Sequence, residues 1–173
     1  MNKLNLYRNI FKNSDWKTTQ NNVASNIADW LFHTASLTQK LQTVSQNISV
    51  EITQEDWQAV SLSNNFAKYS QEQTAWVREI VLKGDSSPWI FAQTVFPRAT
   101  IENVAQEILQ LGEKPIGLWL FPQNPIRQSL EWTFDSKTGL YARRSLLLLK
   151  DYPLEIYELF LAEFPFEPNS RKE

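Results

Sequence analysis

Cysteine is absent from the 173-residue chain, and histidine and methionine occur once each. Without a thiol there is no disulfide framework, no thiolate nucleophile and no sulfur ligand for zinc. The lone histidine, His33, has no partner at metal-ligand spacing and reads as a helix-end residue rather than a ligand. The four glycines, at positions 84, 112, 117 and 139, make no phosphate loop, dinucleotide fingerprint or nucleophile elbow. Neither sign of charge dominates: 17 Lys and Arg stand against 19 Asp and Glu. No basic patch is in view, so a nucleic-acid partner is not expected. No run approaches the roughly 18 apolar residues of a membrane span, and the first ten residues lack the apolar stretch of a signal peptide. A cytoplasmic protein without stable membrane insertion is the expectation.

Large flat side chains are plentiful. Aromatic residues make up 13% of the chain, seven of them Trp, while hydrophobic residues are 42% and charged residues 21%. That is a globular balance. The length suits one domain over residues 1–173, with 1–20 a short helix or an irregular lead-in and 166–173 a polar tail. Such a chain buries about two-thirds of its unfolded surface.

Residues 74–83, TAWVREIVLK, read as a strand: β-branched and aromatic residues, no Pro and no Gly. Alternation puts Trp76, Arg78, Ile80 and Leu82 on one face, and Val77, Glu79, Val81 and Lys83 on the other. An arginine among core-facing residues costs several kcal/mol unless an anion meets it. The rest of the chain, or a ligand, must supply that anion.

Further elements follow the same logic. Val23, Ile27, Trp30 and Leu31 have helical spacing, and the helix ends near His33. Ser36 caps a second helix with Leu37, Leu41 and Val44 on one face. The tandem resembles a helix–turn–helix hairpin, but Lys40 is its only basic residue. Residues 48–53 alternate as a half-buried strand, and 54–73, mixed and polar, read as a strand continuation and then a loop. Residues 84–87 turn the chain into a strand at 88–96. Thr100 is placed as the cap of a helix through Ile101, Val104, Ile108 and Leu109, stopped by Gly112. Residues 114–121 form an apolar loop or short helix. There Gly117 marks either a tight bend after Pro115 or close backbone approach to a ligand. Strands at 127–135, 140–149 and 154–164 complete the chain. Their short connections make them antiparallel. The fold class is α+β, one antiparallel sheet with helices on one face.

The last strand offers an anion. Glu158 lies between Ile156 and Phe160 on an apolar face, as Arg78 does on its own strand. On pattern alone a structural ion pair between them is favoured, and a shared ligand pocket is the alternative. Arg143 and Arg144 are adjacent and point to opposite faces. Both read as solvating a strand end, although one is placed to join the pocket.

Four segments carry a resemblance. WVREI at 76–80, KPIG at 114–117 with Leu120 and Phe121, LYARRS at 140–145 and ELFL at 158–161 together resemble, in order and spacing, the chorismate pyruvate-lyase family. The likeness runs from about residue 26 to 165. It implies a sheet of about six strands, with helical flaps over an internal ligand site and neither metal nor organic cofactor. It implies that Arg78 binds a substrate carboxylate and Glu158 the ring hydroxyl. It also implies a main-chain contact to the carboxylate from the Pro-x-Gly loop at Ile116 and one from the helical flap at Leu37, where family members can carry Leu and Met. The implied substrate is chorismate, and the products are 4-hydroxybenzoate, for ubiquinone biosynthesis, and pyruvate. A monomer is expected. With the likeness, Arg78 waits for a substrate carboxylate and Glu158 stands at the far end of the same ring. The competing expectation is a non-enzymatic domain of the same architecture that binds a small acid as an effector.

Overall fold

The computed structural model describes residues 3–61 and 63–166. The predicted tail beyond 166 lies outside the described residues. Helices α1 (Lys3–Asn13), α2 (Ser25–Leu31) and α3 (Leu37–Leu41) come first. Strand β1 (Ile48–Ala59) and the short helix α4 (Asn64–Ala67) follow. Then come β2 (Thr74–Gly84) and β3 (Ser87–Pro97). A crossover carries α5 (Arg98–Val104), a 3-10 turn at Gln106–Gln110, α6 (Ile116–Leu120) and a second 3-10 turn at Phe121–Gln123. Strands β4 (Ile126–Asp135), β5 (Leu140–Leu149) and β6 (Tyr152–Phe160) close the fold.

The strands form one six-stranded sheet in the order β1-β2-β3-β6-β5-β4. Every neighbouring pair is antiparallel, and the fold is α+β. Two-residue turns join β2 to β3 and β5 to β6, whereas β1 reaches β2 through α4. Asp85 with Ser86, and Lys150 with Asp151, all have positive φ, the turn geometry that matches strand twist.

Register decides which side chains share a face. Arg78 lies opposite Thr94, Thr94 opposite Ile156, and Ile156 opposite Ser145. One row along, Ile80, Ala92, Glu158 and Arg143 line up in the same way. This inner face is covered by α2, α3, α5 and α6. Leu31, Leu41, Ile101, Ile108 and Leu120 are each no more than 2% exposed there, worth roughly 1.5–3 kcal/mol apiece in burial. The helix pair α2–α3 thus spends its apolar face on the sheet. The opposite face carries α1, through Ile10 and Phe11, and α4, through Phe66. Arg8 fastens α1 with 2.8 and 2.7 Å hydrogen bonds to the Glu79 carboxylate.

Several boundaries differ from the sequence expectation. Of the two readings of the lead-in, the helix is the one formed, from Lys3 to Asn13. Helix α3 stops at Leu41, and Val44, expected on its buried face, is 51% exposed. Strand β1 does continue past the alternating stretch, to Ala59, but α4 rather than a plain loop follows. Thr100 is not a cap: α5 starts directly after Pro97, and the Thr100 hydroxyl instead donates to the Pro153 carbonyl at 2.7 Å. The helix expected through 109 breaks at Ala105, where φ is −138°. Gly112 does adopt positive φ beyond it. Strand β6 ends at Phe160, and Phe164 folds back onto Trp30, Trp89 and Phe160.

Candidate functional site

Between the inner face and helices α3 and α6 lies a cavity walled by both. Apolar side chains from the sheet and from the two flap segments make most of its wall. Set among them are three arginines, Arg78, Arg127 and Arg143, and one carboxylate, Glu158. Cations outnumber anions on the wall, which suits an anionic ligand.

Arg78 sits mid-strand on β2 and is 1% exposed. Its Nη1 reaches Glu55 Oε2 at 3.3 Å and the Gly112 carbonyl at 2.9 Å, and its Nη2 donates to the Lys114 carbonyl at 2.7 Å. Burial pushes its pKa down, and Glu55 opposes that shift. The anion inside the chain is therefore Glu55, not Glu158. Unbroken alternation from Ile52 would face Gln54 inward. A bulge between Ile52 and Gln54 shifts the register, so Glu55 lies opposite Arg78 and Trp57 opposite Trp76. Bulges of this kind re-aim side chains at sheet edges.

Glu158 lines the same cavity two strands away, and its partner is Arg143, whose Nε donates to Oε1 at 2.7 Å. Arg143 is only 2% exposed, and its Nη1 donates to the Leu31 and His33 carbonyls at 3.2 and 2.6 Å. The reading of both adjacent arginines as strand-end solvators is corrected. Arg143 is in the cavity wall beside Glu158. Arg144, on the opposite face, donates to Glu131 at 2.6 Å with its guanidinium 4.7 Å above Trp16. Strand parity separated the two, but which of them faced the cavity required the β5–β6 register.

Leu37 and Ile116 open the two flap helices, and both line the cavity. Ser36 does cap α3, accepting from the Gln39 backbone N–H at 3.2 Å. Gly117 proves to be a point of close approach between the flaps: a Cβ there would stand 2.9 Å from Ser36 Oγ and 3.4 Å from Thr38 Oγ1. The neighbour that demands glycine is thus the other flap. His33 contributes its backbone carbonyl to Arg143, and burial with nearby Lys40 and Arg143 lowers its side-chain pKa.

Arg127 was missed. Alternation back from Trp132, an inner-face residue opposite Arg143, puts Arg127 on the outer face. A second bulge, between Arg127 and Ser129, returns it to the cavity. Its Nη1 donates to Ser145 Oγ and its Nη2 to the Thr34 carbonyl at 3.0 Å. Burial, with the neighbouring Arg143 charge, pushes its pKa down to about 10 against the opposing pull of Glu158. Both bulges lie on edge strands, and both turn a charge inward that simple alternation would send outward.

Among the described residues no helix is long and apolar enough to cross a membrane. The family model described as chorismate lyase matches residues 10–168. A chorismate pyruvate-lyase of Pectobacterium carotovorum is 35% identical over 140 residues, covering 80% of this chain and 78% of that one. A probable chorismate pyruvate-lyase of Pasteurella multocida is 35% identical over 159 residues, covering 90% and 92%. Among solved structures, the ligand-binding domain of a putative GntR-family transcriptional regulator from Bordetella bronchiseptica aligns at 12% identity. Its TM-score is 0.48, over 69% of this chain and 86% of that one. By its sequence over nearly its whole length, this chain belongs to the chorismate lyase family.

Proposed function

We propose that this protein is a chorismate pyruvate-lyase, which eliminates pyruvate from chorismate to leave 4-hydroxybenzoate, the ring precursor of ubiquinone. The observation that carries the reading is the wall of one apolar cavity in a chain of this family. A buried arginine stands at one end and an arginine-held carboxylate two strands away.

Chorismate bears a ring carboxylate, a hydroxyl on the ring carbon opposite it, and an enolpyruvyl ether on the carbon beside that hydroxyl. In the reaction the ring-carbon–oxygen bond to the enolpyruvyl group breaks. The hydroxyl-bearing carbon loses its proton, and the bond electrons complete the aromatic ring. The departing enolpyruvate gains a proton on its methylene carbon and becomes pyruvate. No oxidant or reductant is consumed. Aromatisation supplies the driving force, so the protein needs chiefly to orient the substrate and exclude water.

In this reading Arg78 bonds the ring carboxylate. Its planar guanidinium suits a two-oxygen acceptor, and its fastening to Gly112, Lys114 and Glu55 holds it in place. Glu158, with Oε1 engaged by Arg143, receives the ring hydroxyl on its other oxygen. The backbones at Leu37 and Ile116 close the flaps over the ring. Two routes serve the proton: to Glu158, or directly to the methylene of the leaving group. Glu158→Gln separates them. A fall of about 10²–10⁴ in kcat assigns proton removal to Glu158, and a fall under about tenfold assigns it to the leaving group.

The deciding experiment incubates the purified protein with chorismate and follows 4-hydroxybenzoate by absorbance and pyruvate by a coupled dehydrogenase. Equal yields of both products are expected. Binding of chorismate without turnover would refute the lyase reading and leave an effector-binding domain.

A further inference from the structure

Among the described residues, Arg127 Nε is the one buried side-chain nitrogen or oxygen without a hydrogen-bond partner. Native proteins rarely leave such a group unmatched. The other cavity arginines each have a carboxylate: Glu55 for Arg78 and Glu158 for Arg143. Arg127 has only a hydroxyl and a carbonyl, Ser145 Oγ and Thr34 O, among the described residues. A guanidinium in that position is costly unless an anion completes it. The β4 bulge aims it into the cavity, where a ligand anion would complete it.

Its position on the sheet says which part of the ligand. This step rests on the lyase reading. With the ring carboxylate at β2 and the ring hydroxyl at β6, the ring lies across β3. The enolpyruvyl ether leaves the carbon next to the hydroxyl, so its carboxylate projects from the Glu158 end. Beyond β6 the sheet continues to β5 and then β4, which bring Ser145 and Arg127. We propose that Arg127, together with the Ser145 hydroxyl, forms a second anion subsite that binds the enolpyruvyl carboxylate of the substrate and then the carboxylate of the departing pyruvate. Ser145 Oγ accepts from Arg127 Nη1, which leaves its O–H free to donate to that carboxylate. Burial and the nearby Arg143 lower the Arg127 pKa only to about 10, so the group stays a cation at neutral pH.

The subsite separates two ligands. 4-Hydroxybenzoate has one carboxylate and does not reach it, whereas 3-(carboxymethoxy)-4-hydroxybenzoate carries a second carboxylate where chorismate does. Calorimetry measures both on the wild-type protein and on Arg127→Gln, and steady-state kinetics measures chorismate. Loss of a charge-assisted bond predicts about a 10–100-fold weaker dicarboxylate and a similar fall in kcat/KM, carried mainly by KM. The 4-hydroxybenzoate affinity stays within about twofold. Arg127→Lys, which keeps the charge, recovers part of the loss, and it replaces Arg127→Gln if that variant does not fold. Equal weakening of both ligands, or of neither, would overturn the subsite. If the wild type binds the dicarboxylate more tightly, Arg127→Gln abolishes the difference and chorismate is not turned over, the subsite stands and the lyase reading alone falls.

Discussion

Replacing Arg78 with methionine separates what that residue does for a ligand from what it does for the fold. The substitution nearly conserves volume, removes the charge and leaves an apolar side chain among apolar neighbours. Two opposed effects set the stability. Three hydrogen bonds are lost, to Glu55, Gly112 and Lys114. Their acceptors have alternatives, because Gly112 and Lys114 are exposed and the Glu55 side chain retains 17% of its exposure. Water takes over most of what is lost. Against this, the cost of burying the guanidinium, several kcal/mol, disappears. The net change is expected within about 2 kcal/mol, a shift of at most about 8 °C in Tm for a chain of this size. Catalysis has no such compensation. Losing two charge-assisted bonds to the ring carboxylate removes about 3–6 kcal/mol, or 10²–10⁴ in kcat/KM. Thermal unfolding by circular dichroism and initial rates on chorismate read the two quantities on one preparation. A kcat/KM within tenfold of wild type would refute the role given to Arg78. A Tm loss above about 20 °C would show that the residue is chiefly a structural ion.

Gly117→Ala places a Cβ 2.9 Å from Ser36 Oγ, forcing the flaps apart at about 1–3 kcal/mol of overpacking. Release of 4-hydroxybenzoate, followed by stopped-flow tryptophan fluorescence, is expected to speed up about 5–100-fold; an unchanged rate would show that the flaps do not close at this point. On the far face, burial raises the pKa of Glu79, but hydrogen bonds from Arg8, Gln93 and Thr53 outweigh it and bring the net below the ordinary 4.5. A depressed carboxylate contributes stability that is full above pH 4.5 and lost as pH falls through its folded value. Glu79→Gln should therefore cost about 1–3 kcal/mol at neutral pH, and the gap in Tm should narrow below pH 4.5. A gap constant with pH would contradict the linkage.

Much of the site was legible because it depends on local rules. Period-two alternation put Arg78 and Glu158 on apolar faces, and both line the cavity. Ser36 announced a cap three residues before the N–H it accepts. The resemblance pointed to Leu37 on a flap and to Ile116 in a loop, and the structure puts Ile116 at the start of a helix beside the cavity. The expectation of a direct Arg78–Glu158 pair on pattern alone was different in kind, because it needed a distance across three strands. The structure gives each a separate partner, Glu55 and Arg143, with cavity between them.

Sequence by itself determined the α+β class, the antiparallel hairpins and the inward faces of the central strands. Backbone geometry repeats over two to four residues there, and nearby side chains report it. Only the tertiary structure decided the electrostatics of the cavity. Glu55 and Arg127 face inward because bulges on the two edge strands add a residue to the count. A bulge is set by pairing with a strand more than ten positions away, not by the residues beside it. Arg143 meets Glu158 because β5 pairs with β6 in one register and not its neighbour. A shift of one residue would have turned Arg144 inward instead. The charge balance of the site, the property that selects its ligand, was thus fixed by long-range hydrogen-bond register.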